Sequence, residues 1–190
     1  YTATYDGSGN FYSGGISFGP GYPVSTGAFQ TVYVGGNGGS GTPPYDVAVL
    51  KLNANGTERL YATFLGGNGY EQPHSLIVDN DNNLVIAGRT LSTDFPTTAN
   101  TFGAGGDYDI FISKLNADGS ILIGSRKFGG TDKDGVNIRP KESIGPVSIN
   151  RNYGDDARSE VNVDNNNNIY LASCTRSSNF PVSSNAFQKT

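Results

Sequence analysis

The sequence predicts an all-β chain built from repeated four-stranded antiparallel units, on three observations. First, His74 to Gly130 holds four short runs rich in β-branched and aromatic residues: Ser75–Val78, Leu84–Thr90, Asp109–Leu115 and Ile121–Phe128. Asn, Asp, Gly or Pro separate them, and these residues supply turn conformations. Second, the unit recurs. VDNDNNLVIAGRT (78–90) returns as VDNNNNIYLASCT (163–175) and more loosely as YDGSGNFYSGGIS (5–17). DFPTTANTF (94–102) returns as NFPVSSNAF and GYPVSTGAF, YDIFISKLNADG (108–119) matches YDVAVLKLNANG (45–56), and KFGG matches FLGG. Third, extra residues are confined to two places, a Gly/Pro-rich stretch near 31–44 and a segment near 135–158. A fixed unit with insertions restricted to loops is the mark of a repeat architecture.

Each element follows from its residues. The gap Asp79–Asn83 suits a tight reversal, because Asn and Asp tolerate left-handed backbone and bond their own main chain. The gap Asn116–Gly119 ends in Asp-Gly, a strong hairpin signal. Only the second gap is long, and it carries Asp94-Phe95-Pro96. The first unit is expected to place strands at Thr2–Tyr5, Phe11–Phe18, Asp46–Leu52 and Arg59–Leu65. In the third of these, Val47, Val49 and Lys51 share one face and Ala48, Leu50 and Leu52 the other. Such weak polar alternation predicts cover on both faces by neighbouring sheets. Pro140 and Pro146 disfavour a central strand in the second insertion, where a small hairpin at Val147–Asn150 is expected. The third unit supplies Glu160–Val163 and Asn168–Cys174.

The linked motifs, "D-x-x-x-N-I/L-Y/V" strands, "S-x-x-F-P-T/V" turns, "D-x-F-x-x-K-L-N-x-D-G" hairpins and a closing Gly-Gly, resemble the SBBP β-propeller repeat of secreted bacterial proteins. The resemblance covers nearly the whole chain except the insertions. It implies a β-propeller fragment of about two and a half four-stranded blades: 1–67 as blade one, 68–131 as blade two, 132–158 as an inserted loop segment and 159–190 as the first half of blade three. It also implies an extracellular or cell-surface setting and no catalytic activity. Closed propellers use four to eight blades. The missing initiator Met and the stop before a third K-L-N hairpin lead to the expectation of a fragment.

Composition sets further bounds. Gly is 27 of 190 residues and hydrophobic residues are 35%, concentrated in the short runs, so sheet cores are within reach. A net charge of −4 argues against nucleic acid or an anionic membrane as partner. No eighteen-residue apolar run exists to form a membrane-spanning helix. Cys174 is single, so no disulfide forms within the chain.

The candidate chemistry divides between structural and functional readings. Asp79-Asn80-Asp81-Asn82-Asn83 has the alternate-oxygen spacing of a calcium loop, but Leu84 replaces the Gly and Thr90 the Glu that such a loop uses. The related turns are Asp6–Asn10 and Asp164–Asn168, and a hairpin turn explains all three. The aromatic–proline pairs at Tyr22, Phe95 and Phe180, with Phe29, Phe102 and Phe187, read as wedges between blades before sugar-stacking rings. Gly66-Gly67 and Gly129-Gly130 are expected to adopt positive φ where the chain turns back. A phosphate site there would need a following helix, and none is readable. His74 has no partner motif for base catalysis or metal binding. Cys174 reads as a small buried hydrophobe. Asp46 and Asp109 occupy one repeat position and are expected to bond neighbouring backbone. No cofactor or metal site is expected.

Function is therefore expected in the loops, where recognition resides on rigid scaffolds. Both insertions follow even-numbered strands, so both should leave the same side of the blades. The second gathers charge, giving Arg139, Lys141, Glu142, Arg151, Tyr153 and Arg158 as candidate contacts to a protein or surface glycan. The reading is a non-enzymatic adhesion or interaction scaffold; the alternative is a lectin-like or enzymatic propeller whose site lies on further blades of the same or a longer chain.

Overall fold

A computed structural model of the chain describes residues 2–35, 43–136 and 159–189. Its strands are β1 (Thr2–Tyr5), β2 (Phe11–Ser17), β3 (Asp46–Leu52), β4 (Arg59–Leu65), β5 (Glu71–Val78), β6 (Leu84–Thr90), β7 (Phe102–Gly103), β8 (Asp109–Leu115), β9 (Leu122–Gly129), β10 (Ser159–Val163) and β11 (Ile169–Ser173). They form a four-stranded sheet β1-β2-β3-β4, a five-stranded sheet β5-β6-β8-β9-β7 and the pair β10-β11. The consecutive pairs are antiparallel, with Ser17 opposite Asp46 and Thr90 opposite Asp109 in the two complete units.

Two details depart from the sequence expectation. The strand expected from Ser75 starts at Glu71 and passes through Pro73 by a register shift between Pro73 and Ser75, where the ladder is already broken and a missing N–H costs least. The second sheet also gains a fifth strand, since β7 pairs in parallel with β9. The long second gap thus runs along the outer edge of the fourth strand. In unit one the same path bonds β4: Ser25 N–H donates to Ala62 O at 2.8 Å and Phe64 N–H to Gln30 O at 3.0 Å. In unit two Thr98 N–H donates to Ser125 O at 2.9 Å. Both complete units thus cover the edge that would otherwise offer unpaired backbone to another chain.

Side-chain alternation divides the core between sheets. Leu84 and Ile86 of β6 pack with Tyr12, Val47, Val49, Tyr61 and Leu65 of the first sheet, whereas Val85 and Ala87 pack with Val161 of β10. The middle sheet is therefore apolar on both faces, which explains strands that read as hydrophobic throughout. Burying each such aliphatic side chain contributes about 1.5–3 kcal/mol. Among the described residues β1 and β10 both lie against β5, so the first strands of successive units are neighbours. Lys51 shares the Val47–Val49 face as expected, and its ammonium donates to Ala117 O of the next sheet at 3.1 Å.

Candidate interaction surface

The three repeated turns are closed by their own aspartates. Asp79 Oδ1 accepts from the backbone N–H groups of Asp81 and Asn83 at 2.9 and 2.8 Å. Its Oδ2 accepts from Asn83 Nδ2 at 3.1 Å and pairs with Lys114 Nζ at 2.5 Å. Asp6 and Asp164 repeat the pattern, with the Tyr12 and Tyr170 hydroxyls as further donors, each at 3.1 Å. Asn82 and Asn167, both with φ 63°, occupy the left-handed position that the turn requires. Burial works against ionisation of Asp79, but the Lys114 and Asn83 hydrogen bonds outweigh it and hold the carboxyl below its usual range. Backbone and side-chain N–H donors and the Lys114 ammonium surround these oxygens. Asp81 is drawn into the neighbouring unit, accepting from Asn167 Nδ2 at 2.8 Å.

A second repeated network, unforeseen from the sequence, fastens one unit to the next. Glu71 accepts from Gly67 N–H at 3.1 Å, the Thr90 hydroxyl at 2.7 Å and the Ser92 hydroxyl at 2.6 Å. Asp134 accepts from Gly130 N–H at 2.8 Å, Thr175 at 2.5 Å and Ser177 at 2.9 Å. Both acids stand five residues after the first Gly of the pair, and the Thr and Ser lie at the end of the second strand of the next unit or just beyond it. That shared spacing is the signal a sequence reading could have used. The paired glycines do not adopt positive φ. They are required for space: a Cβ on Gly66 would lie 2.6 Å from the Asp46 carboxyl, and one on Gly130 would strike Ser177.

Asp46 and Asp109 sit beside these junctions. Asp46 Oδ2 accepts from Val34 N–H at 2.9 Å, while Oδ1 is buried with no hydrogen-bond partner. Burial pushes the Asp46 carboxyl up to about 6. Burial raises Asp109 as well, against the pull of Lys127, whose ammonium lies 3.4 Å away.

The remaining candidates take structural places. Phe95 is buried against Phe111 with ring centroids 4.6 Å apart, and Tyr22 packs on Phe64 at 5.6 Å. His74 Nδ1 bonds Ser159 Oγ at 3.0 Å, linking units two and three. Burial of the ring, with the Arg89 charge nearby, lowers its pKa to about 3 and keeps it neutral. Cys174 is half-buried rather than buried, because it lies just beyond β11 where cover is thinner.

The candidate contacts Arg139, Lys141, Glu142, Arg151, Tyr153 and Arg158 lie outside the described residues, as does the hairpin expected at Val147–Asn150. The roots of both insertions are described, and they share one end of the sheets. Tyr45 stands just before β3 after the first insertion, and its carbonyl accepts from Glu71 N–H at 2.8 Å. Asp134 N–H donates to Tyr108 O at 2.7 Å at the root of the second. A row of rings crosses this end: Phe18 meets Tyr45 edge-on at 5.5 Å, and Tyr45 meets Tyr70 at 5.1 Å. The Arg89 guanidinium lies 4.5 Å from the Tyr108 ring centre. Phe18 is 54% exposed. Rings with one open face and one packed face suit contact with apolar or sugar surfaces. No protein-family model matches this chain. Among curated proteins none matches it.

Proposed function

We propose that the chain is a segment of a β-propeller resembling the SBBP repeat, and that it serves a secreted or cell-surface bacterial protein as a non-enzymatic interaction or adhesion scaffold. The observation that carries this reading is the shared end of the sheets, where both insertion roots flank the Phe18–Tyr45–Tyr70 row. Supporting it, the buried acids Glu71 and Asp134 are tied to backbone and hydroxyl donors that join units. Such a framework holds loops still, which lowers the ordering entropy lost on binding. The neighbouring first strands β1, β5 and β10 fit the inner strands of successive blades.

Binding of the chain to arrays of glycans and of extracellular matrix proteins tests this. A ligand bound by the chain, and lost in Phe18→Ala/Tyr70→Ala or on replacing residues 136–153 by a short Gly/Ser linker, supports the reading. Full retention of binding in both variants, with their folds intact, removes the shared end from consideration. Turnover of a polysaccharide or peptide by the chain would show an enzyme instead.

A further inference from the structure

Lys51, Lys114 and Lys127 each meet an aspartate with little exposure, and the last pair is unlike the others. In Lys51–Asp6 and Lys114–Asp79 both carboxyl oxygens already accept N–H groups of the repeated turn. Hydrogen bonds from the turn, and at Asp79 from Lys114, outweigh burial and hold both acids below the usual carboxylate range. Lys127–Asp109 is built differently. Asp109 Oδ2 lies 3.4 Å from the ammonium, but Oδ1 is buried with no hydrogen-bond partner among the described residues. Burial lifts this carboxyl above the usual range against the pull of Lys127, and the Asp134 charge adds to the lift.

The second acid stands at the same spot. A Cβ on Gly129 would strike Asp109 Oδ1 and lie 3.0 Å from Asp134 Oδ2. Asp134 is fully buried and fixed by Gly130 N–H and the Thr175 and Ser177 hydroxyls. The amine is fixed as well, since Lys127 Nζ donates to Ser92 O at 3.1 Å. Lys127 stands opposite Phe111, two residues along β8 from Asp109, so the pair spans neighbouring strands on one face. Unit one supplies the comparison. Asp46 and Glu71 repeat the acid pair around Gly66, with Asp46 Oδ1 likewise unpartnered. Phe64 takes the place of Lys127 there. Unit two therefore adds a nucleophile to an acid pair that unit one holds without one.

We propose that Lys127 and Asp109 condense to an intramolecular amide that joins β9 to β8. The ammonium passes one proton to the Asp109 carboxylate, and the neutral amine then attacks Cγ. The Nζ–Cγ bond forms as one Cγ–O bond breaks, and that oxygen leaves as water with the first proton and a second one from the amine. Nothing is oxidised or reduced, and no co-reactant is needed. Fixing the amine against the carboxyl replaces a chance encounter by a held geometry. Burial favours the neutral amine and acid, which react, over the ion pair, which does not. Asp134 is a positioning residue, whose charge beside Oδ1 favours protonated Asp109. The amide closes the β8–β9 hairpin covalently, and such closure stabilises a fold by restricting its unfolded chain. It goes beyond the binding reading and does not depend on it.

Intact-mass spectrometry of the whole folded chain, under denaturing conditions, tests this. The chain is expected to weigh one water less than its sequence, and proteolysis to release a branched peptide carrying both Asp109 and Lys127. Lys127→Arg keeps the charge but removes the nucleophile, and is expected to show the full sequence mass. In chain freshly made by cell-free translation, Asp134→Asn is expected to slow the loss of water about a hundredfold, and Asp134→Glu to restore part of the rate. Circular dichroism checks that each variant folds; where Asp134→Asn does not, the masses of the parent and of Lys127→Arg decide. Three results would overturn the proposal. One is the full sequence mass in the folded parent. Another is a deficit that persists in Lys127→Arg or is reversed by mild alkali, which reports a succinimide at Asp118-Gly119 or Asp134-Gly135. The last is loss of water at the parent's rate in a folded Asp134→Asn chain. Glycan or matrix binding measured on the same samples is untouched if only the amide fails.

Discussion

Asp46 and Glu71 face each other across the α-carbon of Gly66: a point 2.6 Å from Asp46 Oδ1 and 2.8 Å from Glu71 Oε2 is where a side chain there would begin. Neither acid can retreat easily, because Glu71 is held by three donors and Asp46 by the Val34 N–H. Gly66→Ala is therefore expected to destabilise the fold by about 2 kcal/mol or more. Gly15→Ala, with open space around the added carbon, serves as control and should stay within about 0.5 kcal/mol. Denaturant melts of the two variants decide, and equal stabilities would refute the crowding argument.

The elevated Asp46 carboxyl has a pH signature. Its pKa rises from 3.8 unfolded to about 6 folded, so the folded state holds the proton more tightly. The stability it contributes is complete below pH 3.8 and is lost as pH rises through 6. Asp46→Asn keeps an acceptor for Val34 and removes the charge. The variant's melting temperature minus that of the parent is expected to climb between pH 4 and 6 and then level off. A difference that does not change with pH would show that Asp46 titrates normally.

His74 works in the opposite direction. Its pKa falls from 6.5 to about 3 on folding, so its contribution is complete above pH 6.5 and lost as pH drops toward 3. Replacing it by Gln, which can still bond Ser159, should flatten the acid limb of the stability curve below pH 6.5. An unchanged acid limb would mean that the ring is charged in the folded protein.

The Asp79 turn should ignore calcium. Four N–H donors already occupy its carboxylate, including the Lys114 ammonium. Calorimetric titration with calcium is expected to show no stoichiometric heat, whereas a stoichiometric signal abolished in Asp81→Ala would establish an ion site. Asp79→Ala should cost about 2 kcal/mol, because the turn N–H groups and Lys114 lose their acceptor.

Much of this architecture was legible in the chain itself. β3, β6 and β8 fall at the expected residues, because alternating apolar residues and turn-forming Asn, Asp and Gly act locally and recur in register. The turn aspartates were legible for the same reason: they bond backbone two and four residues away. The inter-unit contacts were not. His74 meets Ser159, and Asn80 meets Asn167, only after strands far apart in sequence have been laid side by side. The paired glycines show the division most sharply. Their recurrence is plain in the sequence, which predicts positive φ for them. The reason is room for a buried carboxylate at Gly66 and for a serine at Gly130, and crowding is set by which chains meet in space. The sequence by itself determined the strands, their turns and their repetition, because those depend on near neighbours; tertiary structure alone decided which acids are buried and which glycines are crowded, because desolvation and close contact depend on what packs from afar.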